Sequence, residues 1–221
     1  MRGKFITFEG GEGSGKSTHA SALAERLKAI NIDSVLTREP GGSAGAEVIR
    51  HIILSGIAKP LGAETETILF AAARDDHVRM TIEPALSAGK WVICDRFIDS
   101  TRVYQGALGK VDMKLIRSLE RVTVGATMPD LTFVLDVPAN IGLARAKTRR
   151  GTGVTDRFES EAIEFHEDLR RGFLVLAERE PKRIVVIDGR APRDVVAERI
   201  WDAVESRLLG GRARVAAGAA P

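Results

Sequence analysis

Residues Gly10-Gly11-Glu12-Gly13-Ser14-Gly15-Lys16-Ser17 read G-x-x-x-x-G-K-S, directly after the apolar run Phe5-Ile6-Thr7-Phe8 and before a helical pattern that opens at Thr18. A strand, a glycine loop and a helix in that order leave few architectures open. They gather consecutive backbone N–H groups and the positive end of a helix around one point, which suits a phosphate. The glycines let the chain curl, Lys16 brings a mobile point charge to the β- and γ-phosphates, and the Ser17 hydroxyl is a ligand for Mg²⁺. The bland alternative is a Gly-rich turn without a ligand, and the flanking strand and helix argue against it. Gly10 through Thr18 are therefore the expected binding segment for a nucleoside triphosphate.

Short β-branched runs recur at 4–9, 34–37, 91–94, 131–137 and 183–187. Helical patterns lie between them, at 16–29, 44–54, 64–88, 98–107, 112–124, 139–148, 159–179 and 193–208. This alternation predicts an α/β fold in three layers, a parallel sheet with helices on both faces. Val48, Ile49, Ile52 and Ile53 form one apolar stripe, and Val196, Ile200, Val204 and Leu208 another, both expected to face the core. The 221 residues suit one domain over 1–208. The stretch 209–221 is rich in Gly, Ala and Arg and is expected to be a disordered tail.

A net charge of +3 fits polyanionic small ligands and is too weak to argue for nucleic acid. The one cysteine, Cys94, sits in an apolar run and is expected to be a buried strand residue, which excludes a disulfide framework within the chain. The sequence enters its first strand without a signal-like segment, and no apolar run is long enough to span a membrane. A cytoplasmic, reduced protein is the expectation.

Ligands of such sheets gather at the carboxyl ends of the strands. Four polar clusters fall there: the glycine loop, Thr37 to Ser43, Asp95-Arg96-Phe97, and Asp136. Asp95 is placed to hold a Mg²⁺-bound water and Arg96 to bridge two phosphates; the alternative is a capping Asp with an incidental Arg. Asp136 is equally a metal-linked acid or a structural cap. Arg38 and Glu39 stand in a turn with Pro40, Gly41 and Gly42, a combination that favours an acceptor-side contact over a plain turn. Phe70 and Arg74 are four residues apart, so a ring and a hydrogen-bonding cation share one helix face. They make a cradle for a flat base, or else an aromatic core position. Asp75, Asp76 and Arg79 read as solvated surface or interface charges.

Residues 145–157 carry Arg145, Lys147, Arg149, Arg150 and Arg157 around two glycines. This is either a solvated basic loop or a flexible lid that closes on transferring phosphates. The glycine loop favours the lid, because Gly11, Glu12, Gly13 and Ser14 supply no cation for the charge of a transition state.

Taken together these residues resemble the thymidylate kinases, within the P-loop nucleoside monophosphate kinases. The resemblance rests on Phe8-Glu9-Gly10, Arg38-Glu39-Pro40-Gly41-Gly42, Leu69 to Arg74, Asp95-Arg96-Phe97, Tyr104-Gln105-Gly106 and Asp156-Arg157, in the family's order. It implies a P-loop NTPase fold with a five-stranded parallel sheet, a homodimer, and Mg²⁺-dependent phosphoryl transfer from ATP to dTMP. It implies Phe70 stacked on thymine, Arg74 donating to its O4, and Ser100 and Gln105 lining the base pocket. Arg96 resembles the clamp on the acceptor phosphate, with Asp95 supporting Mg²⁺ and Arg38 and Glu39 near phosphate and metal. Arg149 and Arg150 resemble the lid cations of the bacterial subtype, and Arg145 a residue packed on adenine. Arg102 has no place in the pattern. The rival readings are a kinase for another nucleotide or deoxynucleoside, a nucleotide-controlled switch, and a nucleic-acid-binding module. No membrane partner and no stable nucleic-acid partner are expected.

Overall fold

The structure, a computed structural model, describes residues 1–150, 158 and 161–210, with the Arg150 side chain outside that set. The centre of the expected lid at 151–157 and the expected tail from residue 211 lie outside the described residues. Among the described residues five strands form one sheet: β1 (Phe5–Glu9), β2 (Ser34–Arg38), β3 (Trp91–Asp95), β4 (Leu131–Asp136) and β5 (Ile184–Asp188). All pairings are parallel and the order is β2-β3-β1-β4-β5. β1 is central, with Phe8 opposite Asp95 of β3 and Glu9 opposite Val134 of β4. The chain turns from one half of the sheet to the other beside β1, and open α/β sheets place their ligands at such a switch point.

Nine α-helices surround the sheet: α1 (Lys16–Ala29), α2 (Ala44–Leu54), α3 (Ala63–His77), α4 (Glu83–Ser87), α5 (Ile98–Thr101), α6 (Met113–Thr123), α7 (Ala139–Arg150), α8 (Ile163–Arg179) and α9 (Arg193–Leu208), counted among the described residues. Alternate strand residues point to opposite faces. Ile6, Phe8, Ile93, Phe133 and Leu135 pack against Leu23, Leu27, Ile200 and Val204 of α1 and α9. Phe5, Val92 and Cys94 pack on the other face with Val78, Ile82 and Leu86, while Val134 joins Leu169 and Phe173 of α8. Cys94 is fully buried, as its apolar run predicts, and burial pushes its thiol up.

Three details differ from the sequence reading. The pattern at 64–88 is broken by a π-helical turn, Val78–Ile82, just before Pro84. Proline lacks the N–H that would continue an α-helical ladder, so the preceding turn widens. A second π-helical stretch, Arg102–Leu108, follows α5. In α2 the expected core stripe holds only in part: Ile53 is fully buried, whereas Val48 is exposed.

Asp76 is also no solvated charge. It accepts from Ser43 Oγ (2.6 Å) and from the Ala46 backbone N–H (3.1 Å), and so holds the N-terminus of α2 from the side of α3. Asp136 is taken by Arg170 of α8, whose Nη2 donates to it at 3.1 Å, which makes it a structural residue here. Arg102 grips Glu120 with Nε (2.8 Å) and Nη2 (2.9 Å) and Glu180 with Nη1 (2.8 Å). It ties the second π-helical stretch to α6 and to the end of α8.

Candidate functional site

A cavity of about 250 Å³ opens at the carboxyl ends of β1, β2 and β3. Its first wall is the glycine loop. Gly13 has a φ of +65°, and a Cβ there would lie 1.9 Å from the Gly142 carbonyl oxygen. A Cβ on Gly142 would in turn lie 2.3 Å from the Glu12 carbonyl oxygen. The start of α7 therefore presses on the loop at a place where only glycine fits on either side.

Lys16 is 7% exposed, and its Nζ donates to the carbonyls of Gly11 (2.8 Å) and Gly10 (3.2 Å). Burial, and then the Arg96 charge, push its ammonium down to about 8. A buried cation held by loop carbonyls, with the Ser14 hydroxyl at 3.5 Å, is ready to exchange them for phosphate oxygens. Beside it Ser17 Oγ donates to Asp95 Oδ2. A hydroxyl and a carboxylate side by side are a fitting donor pair for Mg²⁺, which takes few protein oxygens and leaves its other positions to phosphates and water.

Arg96 has a φ of +69°, a left-handed conformation that costs a non-glycine residue about 1–2 kcal/mol. The fold holds it there from both sides. The Arg96 N–H donates to the Phe8 carbonyl (2.9 Å), tying the turn to β1. Glu9, at the end of β1, accepts from the Phe97 N–H (2.8 Å), the Ser100 N–H (3.3 Å) and Ser100 Oγ (2.6 Å). The guanidinium then lies over the Tyr104 ring, 5.2 Å from its centroid, and donates to Gly10 O (3.2 Å) and to Glu12. Burial would raise the Glu12 carboxyl, but Arg96 and then Lys16 outweigh it and hold it at about 2. Glu12 thus fixes the cation rather than contributing free negative charge.

The far wall carries half-buried Phe70 with buried Arg74, Thr101 and Gln105. Arg74 is anchored on two sides. Its Nε donates to Glu39 (2.8 Å), and its Nη2 to Thr101 Oγ1 (3.0 Å) and Phe97 O (3.2 Å). Glu39 reaches the cavity, yet its two carboxylate oxygens turn to Arg74 and His77, not to the Ser17–Asp95 pair. Arg38 lines the same cavity and pairs with Glu47 at 2.9 Å.

Of the residues expected from sequence, Glu12, Gly13, Gly15, Lys16, Ser17, Arg38, Glu39, Phe70, Arg74, Asp95, Arg96, Ser100, Gln105 and Arg149 come together here. Gly10, Gly11 and Ser14 stand behind Lys16, and Thr18 is exposed on α1. Arg145 lies outside this cavity, donating to Gly189 O at 3.0 Å. The Arg150 side chain lies outside the described set. Arg50, Leu54, Thr101, Tyr104 and Phe158 also line the cavity and were missed as site residues. The signal for four of them was spacing. Arg50 and Leu54 are four apart on one helix, and Tyr104 and Thr101 fall four residues from Ser100 and Gln105 respectively.

Glu9 is fully buried, and burial, then the Asp99 charge, push its carboxyl up to about 7. Below the ordinary value of 4.5 the folded and unfolded chains both hold the proton, and Glu9 costs nothing. As pH rises toward 7 the unfolded chain gives up the proton first, so stability falls. Glu9→Gln keeps the shape without the titration. Wild type should lose about 2–3 kcal/mol relative to that variant between pH 4.5 and 7.5, in denaturant melts at stepped pH. Parallel pH profiles would refute the assignment.

Comparison with known proteins gives one consistent result. A family model for thymidylate kinase matches residues 8–200. The thymidylate kinase of Nitrobacter winogradskyi is 59% identical over 209 residues, covering 95% of this chain and 91% of that one. That of Afipia carboxidovorans is 58% identical over 216 residues, covering 96% and 95%. The crystal structure of thymidylate kinase from Ehrlichia chaffeensis superposes with a TM-score of 0.73 at 35% identity, over 92% of this chain and 99% of that one. The glycine loop, the Asp95-Arg96 turn and the Phe70–Arg74 wall thus stand in a chain that belongs to the thymidylate kinase family.

Proposed function

We propose that the chain transfers the γ-phosphoryl group of ATP to the 5′-phosphate of dTMP, forming dTDP and ADP. The observation that carries this reading is one cavity lined at once by Lys16 and Ser17, by Arg96, and by Phe70 and Arg74. A triphosphate end, an acceptor-phosphate clamp and a base platform are the parts such a transfer needs.

The acceptor phosphate is itself the nucleophile. It is largely ionised at neutral pH, so no strong general base is required. An oxygen of dTMP attacks the γ-phosphorus while the bond to the β–γ bridging oxygen breaks, and ADP departs with that electron pair. Catalysis is then positioning and charge stabilisation. Lys16 releases the Gly10 and Gly11 carbonyls and takes the β- and γ-phosphates. Arg96, already fixed by Glu12 and its strained backbone, aligns the acceptor phosphate. Arg149 from the end of α7, with Arg150, neutralises charge on the moving group. Ser17, with Asp95 behind it, would hold Mg²⁺, which would supply neutralising charge at the donor phosphates. Phe70 stacks on thymine, Arg74 donates to its O4, and Ser100 and Gln105 complete the pocket. Arg145, beside Gly189, packs on adenine.

The remaining parts of the reading concern setting and assembly. Among the described residues no helix is long and apolar enough to cross a membrane. We place the enzyme in the cytoplasm, with small-molecule substrates and no stable nucleic-acid partner. A homodimer through α2, α3 and α6 is supported by exposed Val48, Ile68 and Val122, the last 80% exposed. These helices pack side by side, α2 on α3 and α3 on α6.

A coupled ADP-release assay with ATP and Mg²⁺ should give strong turnover on dTMP. On dUMP kcat/KM should fall by about 10–200-fold, the worth of one methyl group in an apolar pocket. Preference for dCMP or a purine nucleotide would overturn the base-pocket roles, and ATP loss independent of acceptor would overturn the transfer itself. Light scattering should return twice the chain mass of 23.9 kDa; a monomer at assay concentration would remove the dimer.

A further inference from the structure

His77, the last residue of α3, is fully buried and lies behind the cavity wall, outside the cavity lining. Its Nδ1 is 3.1 Å from Glu39 Oε1 and its Nε2 is 2.7 Å from Thr37 Oγ1. The other Glu39 oxygen accepts from Arg74 Nε at 2.8 Å. A carboxylate only accepts, so Nδ1 carries the hydrogen toward Glu39, and in the neutral ring Nε2 accepts from the Thr37 hydroxyl. The chain of contacts therefore runs from Thr37, at the end of β2, through His77 and Glu39 to Arg74.

The surrounding backbone is closed tightly on this imidazole. Gly42 has a φ of +88°, and a Cβ there would lie 2.4 Å from both His77 Nε2 and Thr37 Oγ1. The Gly42 carbonyl is held by Thr81 Oγ1 (2.8 Å) and its N–H by Glu47 (2.9 Å). Arg74 in turn has Nε on Glu39 and Nη2 on Phe97 O and Thr101 Oγ1. Nη1 has no hydrogen-bond partner among the described residues, and Arg74 lines the cavity.

We propose that His77 is a positioning residue for base selection: through Glu39 it sets the direction in which Arg74 offers Nη1 to the pyrimidine. This rests on the reading of Arg74 as the donor to thymine O4. A fixed donor accepts O4 of thymine and meets the 4-amino group of cytosine donor to donor. Rejection of dCMP then depends on Arg74 being unable to swing aside. Without the Nδ1–H, a buried carboxylate oxygen loses its donor, and Glu39 reorients to recover one.

Three variants test this by steady-state kinetics with dTMP, dCMP and ATP. His77→Gln keeps a group near the Nε2 position but takes the donor from Glu39. It should raise KM for dTMP about tenfold and lower the dTMP-over-dCMP ratio of kcat/KM about tenfold, with KM for ATP unchanged. His77→Asn puts its amide near the Nδ1 position and should restore most of the ratio. Thr37→Val, which is milder for folding, should shift the ratio in the same direction by a smaller factor. Arg74→Met separates this inference from the reading beneath it. If Arg74→Met leaves the ratio intact, the base-pocket role of Arg74 fails and the His77 role with it. If Arg74→Met collapses the ratio while His77→Gln and Thr37→Val leave it at the wild-type value, the His77 role alone is overturned. A uniform fall in kcat with every acceptor and an unchanged ratio would also overturn it, because it marks a purely structural residue.

Discussion

The site depends on one buried carboxylate. Glu9 closes β1, the strand from which the glycine loop departs, and accepts three hydrogen bonds from the turn that follows β3. Those bonds hold Arg96 in a backbone conformation it would not adopt alone, and they seat Ser100 at the cavity wall. Burying a carboxylate is unfavourable, and the upward push on Glu9 reflects that cost. The return is a fixed distance between the loop that would hold the donor and the guanidinium that would hold the acceptor.

A second layer of buried polar groups does the same for the far wall. Glu39, His77 and Thr37 secure Arg74 from behind, while Asp76 pins the N-terminus of α2. Further out, Arg102 and Arg183 bind Asp99, Glu120 and Glu180 and brace α5 and the π-helical stretch after it. At the cavity Arg96 is paired with Glu12, Arg74 with Glu39 and Arg38 with Glu47. Substrate binding then exchanges partners instead of desolvating free charges, which keeps the reorganisation at the moment of transfer small.

The strands and most helices were legible because each is a short β-branched run or a stripe at helical spacing, as in Val196, Ile200 and Val204. The glycine loop was legible because its chemistry is local. Tertiary partnership was not. Asp76 and Asp136 look like solvated or catalytic acids in one dimension, and only Ser43 and Arg170, far away in sequence, reveal them as structural. Arg102 was unplaceable for the same reason, since its partners lie 18 and 78 residues downstream. The π-helical turns escaped because they span only Val78–Ile82 and Arg102–Leu108, too few residues for a one-residue shift of the apolar stripe to stand out. Pro84 was the hint for the first of them. Val48 was misread because an exposed apolar residue at helical spacing looks like a core residue until the packing is seen.

In the proposed reaction the wall of Phe70 and Arg74 receives a pyrimidine while the glycine loop receives the triphosphate. Calorimetric titration of Phe70→Ala with dTMP, and separately with ATP and Mg²⁺, tests it most directly. Affinity for dTMP should weaken about tenfold or more, the worth of one aromatic face under a base, with ATP affinity unchanged. Unchanged dTMP affinity, or an equal loss for both ligands, would contradict it.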